Sequence, residues 1–306
     1  RLAVLIHHGN ARTGSPATLR RYDVVVISYD TLVRDSILLS QVTWNLGVAD
    51  EAQFLKNPAT LRSQSARRLH SNQIIASTGT PVENSLRDLW SLTDLVVPGL
   101  LGDLGSFVAS FPDEPAAATR LAEITAPVVL RRRIVQVAGD LPPRIDIPTP
   151  LIFSEQEASE YERVRTSLVS GAGGPSFGAL TKLRMYCAHP LLLSHEDIDP
   201  ASISVKYSRF IEVFSEILSA EEKVLVFASF KRMIDIIRDD LVYRFGVHAT
   251  VIDGRTPVLA RQAAIDSFTS VAGCAVLVLN PRAAGAGLNI TAANHVIHYT
   301  LEWNPA

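Results

Sequence analysis

The chain has 306 residues, a formal net charge of −2, and 47% hydrophobic against 20% charged residues. This balance excludes a disordered protein, and the length allows about two domains that each bury a core. The near-neutral charge gives no sign of a nucleic-acid-binding surface, although a basic groove can lie within a neutral total. No apolar run approaches the ~18 residues that span a bilayer and no leader is recognised, so no membrane contact is expected. Cys187 and Cys274 offer neither a disulfide framework nor metal-ligand spacing, which suits a reducing compartment.

The first half alternates short apolar runs with helix-like stretches. The apolar runs cover 23–29, 44–49 and 73–77, and this alternation predicts a parallel sheet. After the Asn-Pro pair at 57–58, apolar residues recur at helical spacing over 61–69. A helix that begins near this proline is therefore expected.

The middle of the chain contains more residues that end regular structure. The leucine, prolines and arginine at 141–144 predict the end of a first domain. Ser154 and Glu157 have the spacing of a capping box, so a helix should follow them. The glycine-rich segment 170–178 is interpreted as a flexible loop. Because no strand precedes it, it does not fit a phosphate-binding loop.

The second half repeats the alternation of strands and helices. Apolar residues from Phe210 to Leu218 form one helix face, and helices are expected near 231–244 and 257–269. The chain is therefore predicted to have an α/β fold, with two parallel-sheet domains joined by a mostly helical segment. The strands predicted in this half are 223–228, 247–252, 274–279 and 294–299.

An acid pair follows the second apolar run of the first half. Asp50 and Glu51 stand where a parallel strand ends, which is the edge at which open α/β sheets bind ligands. Carboxylates at that point suit nucleotide hydrolysis, with Asp50 holding Mg²⁺ and Glu51 polarising the attacking water. Taken alone, such a pair is more often an ordinary acidic loop.

Two threonines around a glycine close the next apolar run. Thr78, Gly79 and Thr80 are followed by Pro81. Short hydroxyls at this position can bridge the acid pair to the neighbouring domain without steric cost. The structural alternative is a Gly-Thr-Pro turn.

Taken in order, these motifs resemble those of the Swi/Snf-related superfamily-two ATPases, and the match runs along nearly the whole chain. The acid pair with Gln53 is similar to motif II of that family, and the threonines are similar to motif III. The segments that carry the resemblance are 50–53, 56–58, 78–84, 89–92, 98–102, 130–133, 183–190, 223–230, 253–268, 284–291 and 303–306.

The resemblance implies a double-stranded-DNA translocase that hydrolyses ATP with Mg²⁺ between two RecA-like domains and grips the DNA backbone without reading its sequence. The implied bounds are 1–135 for the first RecA-like domain, 136–200 for the helical segment and 201–306 for the second. Protein partners would bind through flanking domains. The protein would be cytoplasmic and nucleoid-associated in a bacterium, which the arginine-rich composition favours, or nuclear in a eukaryote.

The resemblance also implies roles for individual residues. Taken alone, Tyr29 fits a half-buried strand residue, and the two glycines near 286 fit a tight strand-to-helix turn. The implied site residues are Asp50, Glu51 and Gln53 for catalysis, with Asp50 on the metal through water; Thr78, Gly79 and Thr80 for coupling; Gly285, Gly287 and Asn289 at the nucleotide and DNA interface; and Tyr29, Thr31 and Lys56 for DNA binding.

The sequence departs from the family at the phosphate-binding loop. The family has a Gly-Lys-Thr upstream of the acid pair, but no lysine precedes Lys56, and the Gly9 to Gly14 spacing lacks the lysine. The arginine fingers of the family's last motif would follow 303–305. We therefore expect a central piece of a longer ATPase, inactive by itself, whose incomplete first domain exposes an unpaired sheet flank or an apolar patch.

Two other interpretations stay open. A family member that has lost hydrolysis would act as a DNA- or protein-binding scaffold, although the intact acid pair argues against such decay. A strand-separating helicase of the wider superfamily is the second. The spacing of Gln53 and Lys56, and the Cys-x-His-Pro block at 187–190, favour the Swi/Snf branch over it.

Overall fold

The structure, a computed structural model, describes residues 1–132, 143–169, 177–194, 196–284 and 287–301. The chain divides into two compact units, residues 1–143 and 144–305. Both units combine helices with strands that pair in parallel. The predicted α/β class with parallel sheets is confirmed.

Within its described residues, the first unit contains two small parallel sheets. One pairs β1 with β2, and the other pairs β3 with β4 along seven-residue strands. Register in the second sheet runs from Thr43 opposite His70 to Ala49 opposite Ala76. The strands are β1 Val4–Ile6, β2 Val24–Val26, β3 Thr43–Ala49 and β4 His70–Ala76.

Among the residues that the structure describes, only one face of each of these sheets is covered. Half-buried side chains such as Trp44 and Ile74 pack against a buried cluster of leucines and alanines from the surrounding helices. On the other face, Leu46, Val48 and Ile75 are 46%, 63% and 53% exposed. Parallel sheets are usually covered on both faces, so the predicted exposed apolar patch is confirmed.

The helices of the first unit begin at identifiable capping residues. Ser28 accepts a hydrogen bond from Thr31 N (3.2 Å) and so starts a helix at Tyr29. The prediction that the strand reaches Tyr29 is therefore wrong, because β2 ends at Val26. Thr60, two residues beyond Pro58, caps the helix after the Asn-Pro pair, and this helix begins at Leu61. The helices are α1 Pro16–Leu19, α2 Tyr29–Arg34, α3 Ser36–Ser40, α4 Leu61–Arg67, α5 Leu86–Val96, α6 Leu104–Ser110 and α7 Pro115–Thr125, with short 3₁₀ turns at Gly9–Ala11 and Ala52–Leu55.

The described part of the second unit is built on one four-stranded parallel sheet. The strands lie in the order β6-β7-β5-β8, and every residue of β7 is buried. All four strands fall within the predicted runs, so these predictions are confirmed. The strands are β5 Val224–Phe227, β6 His248–Ile252, β7 Ala275–Leu279 and β8 His295–His298.

Helices pack around this sheet and bury aromatic and aliphatic side chains, among them Tyr207, Phe214 and Met233. The predicted capping box is confirmed, since Ser154 N donates to Glu157 Oε2 (2.9 Å) and Glu157 N donates to Ser154 Oγ (3.2 Å). Most of the predicted loop at 170–178 lies outside the described residues. The helices are α8 Glu155–Val169, α9 Phe177–Ala188, α10 Val205–Ser219, α11 Lys231–Phe245, α12 Val258–Ser270 and α13 Pro281–Ala284, with 3₁₀ turns at Pro190–Leu192 and Pro200–Ser202.

Helix α9 begins at Phe177, so the last two residues of that predicted loop are helical instead. Across the described ranges, no helix has the length and apolar character needed to cross a membrane.

Candidate active site

The acid pair and the threonine loop lie at the same edge of the first unit's second sheet. Strands β3 and β4 are parallel neighbours, so the loops that follow them emerge side by side. Two backbone hydrogen bonds join these loops, from Ser77 N to Ala49 O (2.8 Å) and from Ala52 N to Ser77 O (2.9 Å). Residues 50–53 and 78–80 therefore lie side by side at one edge of this sheet, and the predicted bridge from the threonines to the neighbouring domain stays a prediction.

Glu51 has an unusual backbone conformation for a residue with a side chain. Its φ of 49° and ψ of 47° are left-handed, which costs on the order of 1–3 kcal/mol and is found mostly where the surroundings enforce it. The Asp50 carboxylate contributes, because Oδ1 accepts a hydrogen bond from Glu51 N (3.0 Å). The bend lies two residues after the end of β3, and the Glu51 carboxylate reaches Gln53 from it.

Gln53 connects the acid pair to the threonine loop. Its Nε2 donates to Glu51 Oε2 (2.7 Å), and its Oε1 accepts from Thr78 Oγ1 (2.8 Å). An ionised carboxylate only accepts hydrogen bonds, so the amide nitrogen must face Glu51. The amide oxygen then faces Thr78, whose hydroxyl has to donate. The hydrogen bonds thus run in one direction toward the Glu51 carboxylate.

The same chain of hydrogen bonds continues beyond Thr78. Thr80 N donates to Thr78 Oγ1 (3.1 Å), and Thr80 Oγ1 donates to Glu83 Oε1 (3.2 Å). The other oxygen of Glu83 forms an ion pair with the Lys56 ammonium. Lys56 N also donates to Gln53 O (3.2 Å), so these hydrogen bonds form a closed ring at one edge of the sheet.

Tyr29 supports the acid pair from the neighbouring helix. Its hydroxyl donates to Asp50 O (2.6 Å), and its ring centroid lies 6.1 Å from that of Phe54. Burial, and then the negative charges of Asp50 and Glu51, raise the pKa of Tyr29 to about 12. The phenol therefore stays a protonated donor at any physiological pH.

All three residues assigned to DNA binding form hydrogen bonds or ion pairs with other residues of the first unit. Tyr29 bonds Asp50, and Lys56 pairs with Glu83. Thr31 is buried, and its hydroxyl lies 3.0 Å from Ser28 Oγ. Their contact with DNA stays a prediction.

The predicted interface residues of the second unit follow its third strand in the chain. Gly287 has a left-handed φ of 68° with open space where a Cβ would stand, so glycine is needed for its conformation and not for packing. Asn289 is exposed, and Gly285 lies outside the described residues. Gly79, in the first unit, also has open space around it.

The sequence motifs indicated no role for Glu83, although the sequence contained a signal for one. Lys56 and Glu83 stand seven residues beyond Ala49 and Ala76, which are opposite each other in the register of β3 and β4. Opposite charges at equal offsets from paired strands are expected to meet if the two loops run alongside. The strand register was the missing information.

Comparison with known protein families identifies the family to which this chain belongs. A model described as the SNF2-related domain matches residues 1–192, and one described as the helicase conserved C-terminal domain matches residues 206–306. The chain belongs to the SNF2-related family. The resemblance predicted from the motifs is confirmed, whereas the predicted domain bounds at 135 and 200 stay predictions.

Several curated proteins are similar over most of this chain. The Zorya protein ZorD of Escherichia coli O139:H28 (strain E24377A / ETEC) is 32% identical over an alignment of 308 residues that covers 92% of this chain and 28% of that protein. The putative ATP-dependent helicase/translocase YwqA of Bacillus subtilis (strain 168) is 33% identical over all of this chain and 35% of its own length. The chain thus spans about a third of these relatives.

Among solved structures, the Sulfolobus solfataricus SWI2/SNF2 ATPase core in complex with dsDNA is 30% identical, with a TM-score of 0.47. That match covers 100% of this chain and 67% of the solved one.

Proposed function

We propose that this chain carries the hydrolytic acid pair of an ATP-dependent double-stranded-DNA translocase. The observation that carries the proposal is Glu51, held in a left-handed bend at the end of a parallel strand and hydrogen-bonded by Gln53. Membership of the SNF2-related family supports it, as does the helicase/translocase name of the Bacillus relative.

Asp50 fits the magnesium ion that ATP brings. Its side chain is exposed, Oδ1 accepts from Glu51 N, and Oδ2 has no hydrogen bond within the described part of the chain. The described ranges hold no group of three or more His, Cys, Asp or Glu side chains that could bind a metal. Mg²⁺ commonly keeps several waters and takes one or two carboxylates plus phosphate oxygens. When bound, the ion would neutralise charge on the β- and γ-phosphates.

Glu51 is assigned as the general base. Gln53 occupies Oε2, which leaves Oε1 to accept the proton of the attacking water. Tyr29 holds the backbone between the two acids, and Gln53 fixes the Glu51 carboxylate against the threonine loop. Such positioning matters because a displacement of about 1 Å can cost on the order of 10²-fold in rate.

The phosphate-binding lysine of the family is not among these 306 residues, since no Gly-Lys-Thr occurs in the sequence. We therefore propose that hydrolysis takes place in a longer protein. The chain's coverage of only 28% and 35% of its two bacterial relatives supports this.

The test is ATP turnover by the full-length protein with and without double-stranded DNA, together with displacement of a third strand from a DNA triplex. Turnover that DNA stimulates, and ATP-dependent displacement, are expected. DNA binding with no turnover would instead support the scaffold interpretation. ATP-dependent separation of a plain duplex would support the strand-separating helicase.

A further inference from the structure

We propose that Lys56 and Glu83 are a positioning pair that sets the Glu51 carboxylate for hydrolysis, and that Lys56 does not serve as a DNA contact. This inference rests on the proposed function. It concerns the outer end of the hydrogen-bond chain, where Lys56, Glu83, Thr80, Thr78 and Gln53 follow one another. All five of these hydrogen-bonded residues lie in the first unit.

Backbone hydrogen bonds to Asp88 fix the position of Glu83. Its backbone N–H donates to Asp88 Oδ2 (3.1 Å), and that of Asn84 donates to the same oxygen (3.0 Å). Asp88 lies in the first turn of α5, which packs against the core of the unit. Both carboxylate oxygens of Glu83 are then used, one by Lys56 and one by Thr80. The side chain therefore links a helix end to the threonine loop.

Lys56 transmits the same restraint to Gln53 by a shorter route. It follows the 3₁₀ turn Ala52–Leu55 directly, and its N–H donates to Gln53 O. Gln53 is thus held by its backbone through Lys56 and by its side chain through Thr78 and Glu51. Loss of the ion pair would loosen both restraints on the residue that orients the catalytic carboxylate.

The charge balance argues against a DNA role for Lys56. Its side chain is 25% exposed, and that of Glu83 is 24% exposed. A phosphate would have to displace the carboxylate or bind beside it, and the two anions repel each other. An ammonium already neutralised by a restrained carboxylate contributes little to phosphate attraction.

The experiment compares Lys56→Met, Glu83→Gln and the exchange K56E/E83K in the full-length protein. Each single variant should lower kcat about tenfold, because Glu51 is less well placed. KM for ATP and the DNA concentration that gives half-maximal stimulation should stay within about twofold. The exchange should restore kcat to within about threefold of the wild type, since it rebuilds the ion pair with reversed polarity.

The chain offers a matched control for loss of a salt bridge. Arg67 and Asp94 lie in the same unit, are separated by the same number of residues, and are 26% and 21% exposed. Arg67 also donates to Ser91, whose hydroxyl donates to Leu55 O in the turn that carries Gln53, so the control changes only the Asp94 carboxylate. Asp94→Asn should lower the urea midpoint and leave kcat unchanged. A kcat loss in Asp94→Asn equal to that of the Lys56 and Glu83 variants would show a general effect of destabilisation and overturn the proposal.

Other results would overturn the positioning role of Lys56 and Glu83. A rise of tenfold or more in the half-maximal DNA concentration for Lys56→Met, with kcat retained, would make Lys56 a DNA contact. Unchanged kcat in both single variants, or an exchange that rescues nothing, would likewise overturn the positioning role. If the wild type turns over no ATP, the proposed function fails. If the wild type turns over ATP and Glu51→Gln is inactive, the proposed function holds, and the variants then test only the positioning role of Lys56 and Glu83.

Discussion

At the scale of single residues, hydrogen-bond direction organises the site. The Glu51 carboxylate accepts, so Gln53 must donate with its nitrogen and Thr78 with its hydroxyl. The sequence places the acid pair and the threonines correctly, because both follow apolar runs that form adjacent parallel strands. It does not predict the Tyr29 bond to Asp50, because Ser28 caps a helix at a point where the apolar run continues.

A buried histidine in the second unit predicts how stability depends on pH. His189 is fully buried, accepts from Leu191 N at Nδ1 (3.1 Å) and donates from Nε2 to Pro200 O (3.1 Å). This arrangement fits only the neutral ring, and burial lowers the pKa of His189 below its ordinary value. The unfolded chain therefore binds a proton first as the pH falls.

The stabilisation from His189 is accordingly complete above the unfolded pKa of about 6.5 and is lost as the pH falls below it. The urea midpoint of the second unit, followed by hydrogen exchange of Val205–Ser219, should be lower at pH 5.5 than at pH 7.5. In His189→Gln that difference should shrink. An equal pH dependence in the variant would assign the effect to other groups.

At the scale of elements, the second unit is predicted more accurately than the first. Its apolar runs are bounded by charged or polar residues, and its central strands β5 and β7 are covered on both sides. In the first unit β3 and β4 alternate between covered and exposed residues, and apolar side chains occupy both faces. The pattern alone could not indicate which face lies against the helices.

Helix α8 and helix α10 share one capping carboxylate. Glu157 Oε2 accepts from Ser154 N and Ser154 Oγ (both 2.9 Å), and Oε1 accepts from Val205 N (2.9 Å). The side chain is buried, so removing it leaves several donors without a partner.

Glu157→Ala should lower the free energy of unfolding of the second unit by about 2–4 kcal/mol. Glu155→Ala, an exposed acid in the same turn, serves as the control and should cost less than about 1 kcal/mol. Urea unfolding of the two variants measures the difference, and equal midpoints would contradict the shared cap.

At the scale of the whole molecule, the chain carries two family-matched parts and spans about a third of its bacterial relatives. The sequence predicts the family from ordered motifs, and it predicts an exposed apolar patch in the first unit because no Gly-Lys-Thr phosphate loop occurs in it. What it could not supply is the contact between Lys56 and Glu83, because that contact depends on the register of β3 and β4.

Purified 1–306 should show no DNA-stimulated ATP turnover, because it contains no Gly-Lys-Thr loop to grip the β- and γ-phosphates. Release of phosphate from ATP, with and without double-stranded DNA, measures this, and the full-length protein is the positive control. Turnover by 1–306 equal to that of the full-length protein would show that the acid pair works without that loop.

The central claim is that Glu51 is the general base, and Glu51→Gln in the full-length protein tests it most directly. Glu123→Gln, which removes an exposed carboxylate from α7, is the control for the change of charge. We predict that Glu51→Gln binds ATP within about twofold of the wild-type affinity while DNA-stimulated turnover falls by about 10²–10⁴-fold. Turnover close to that of Glu123→Gln would contradict the account.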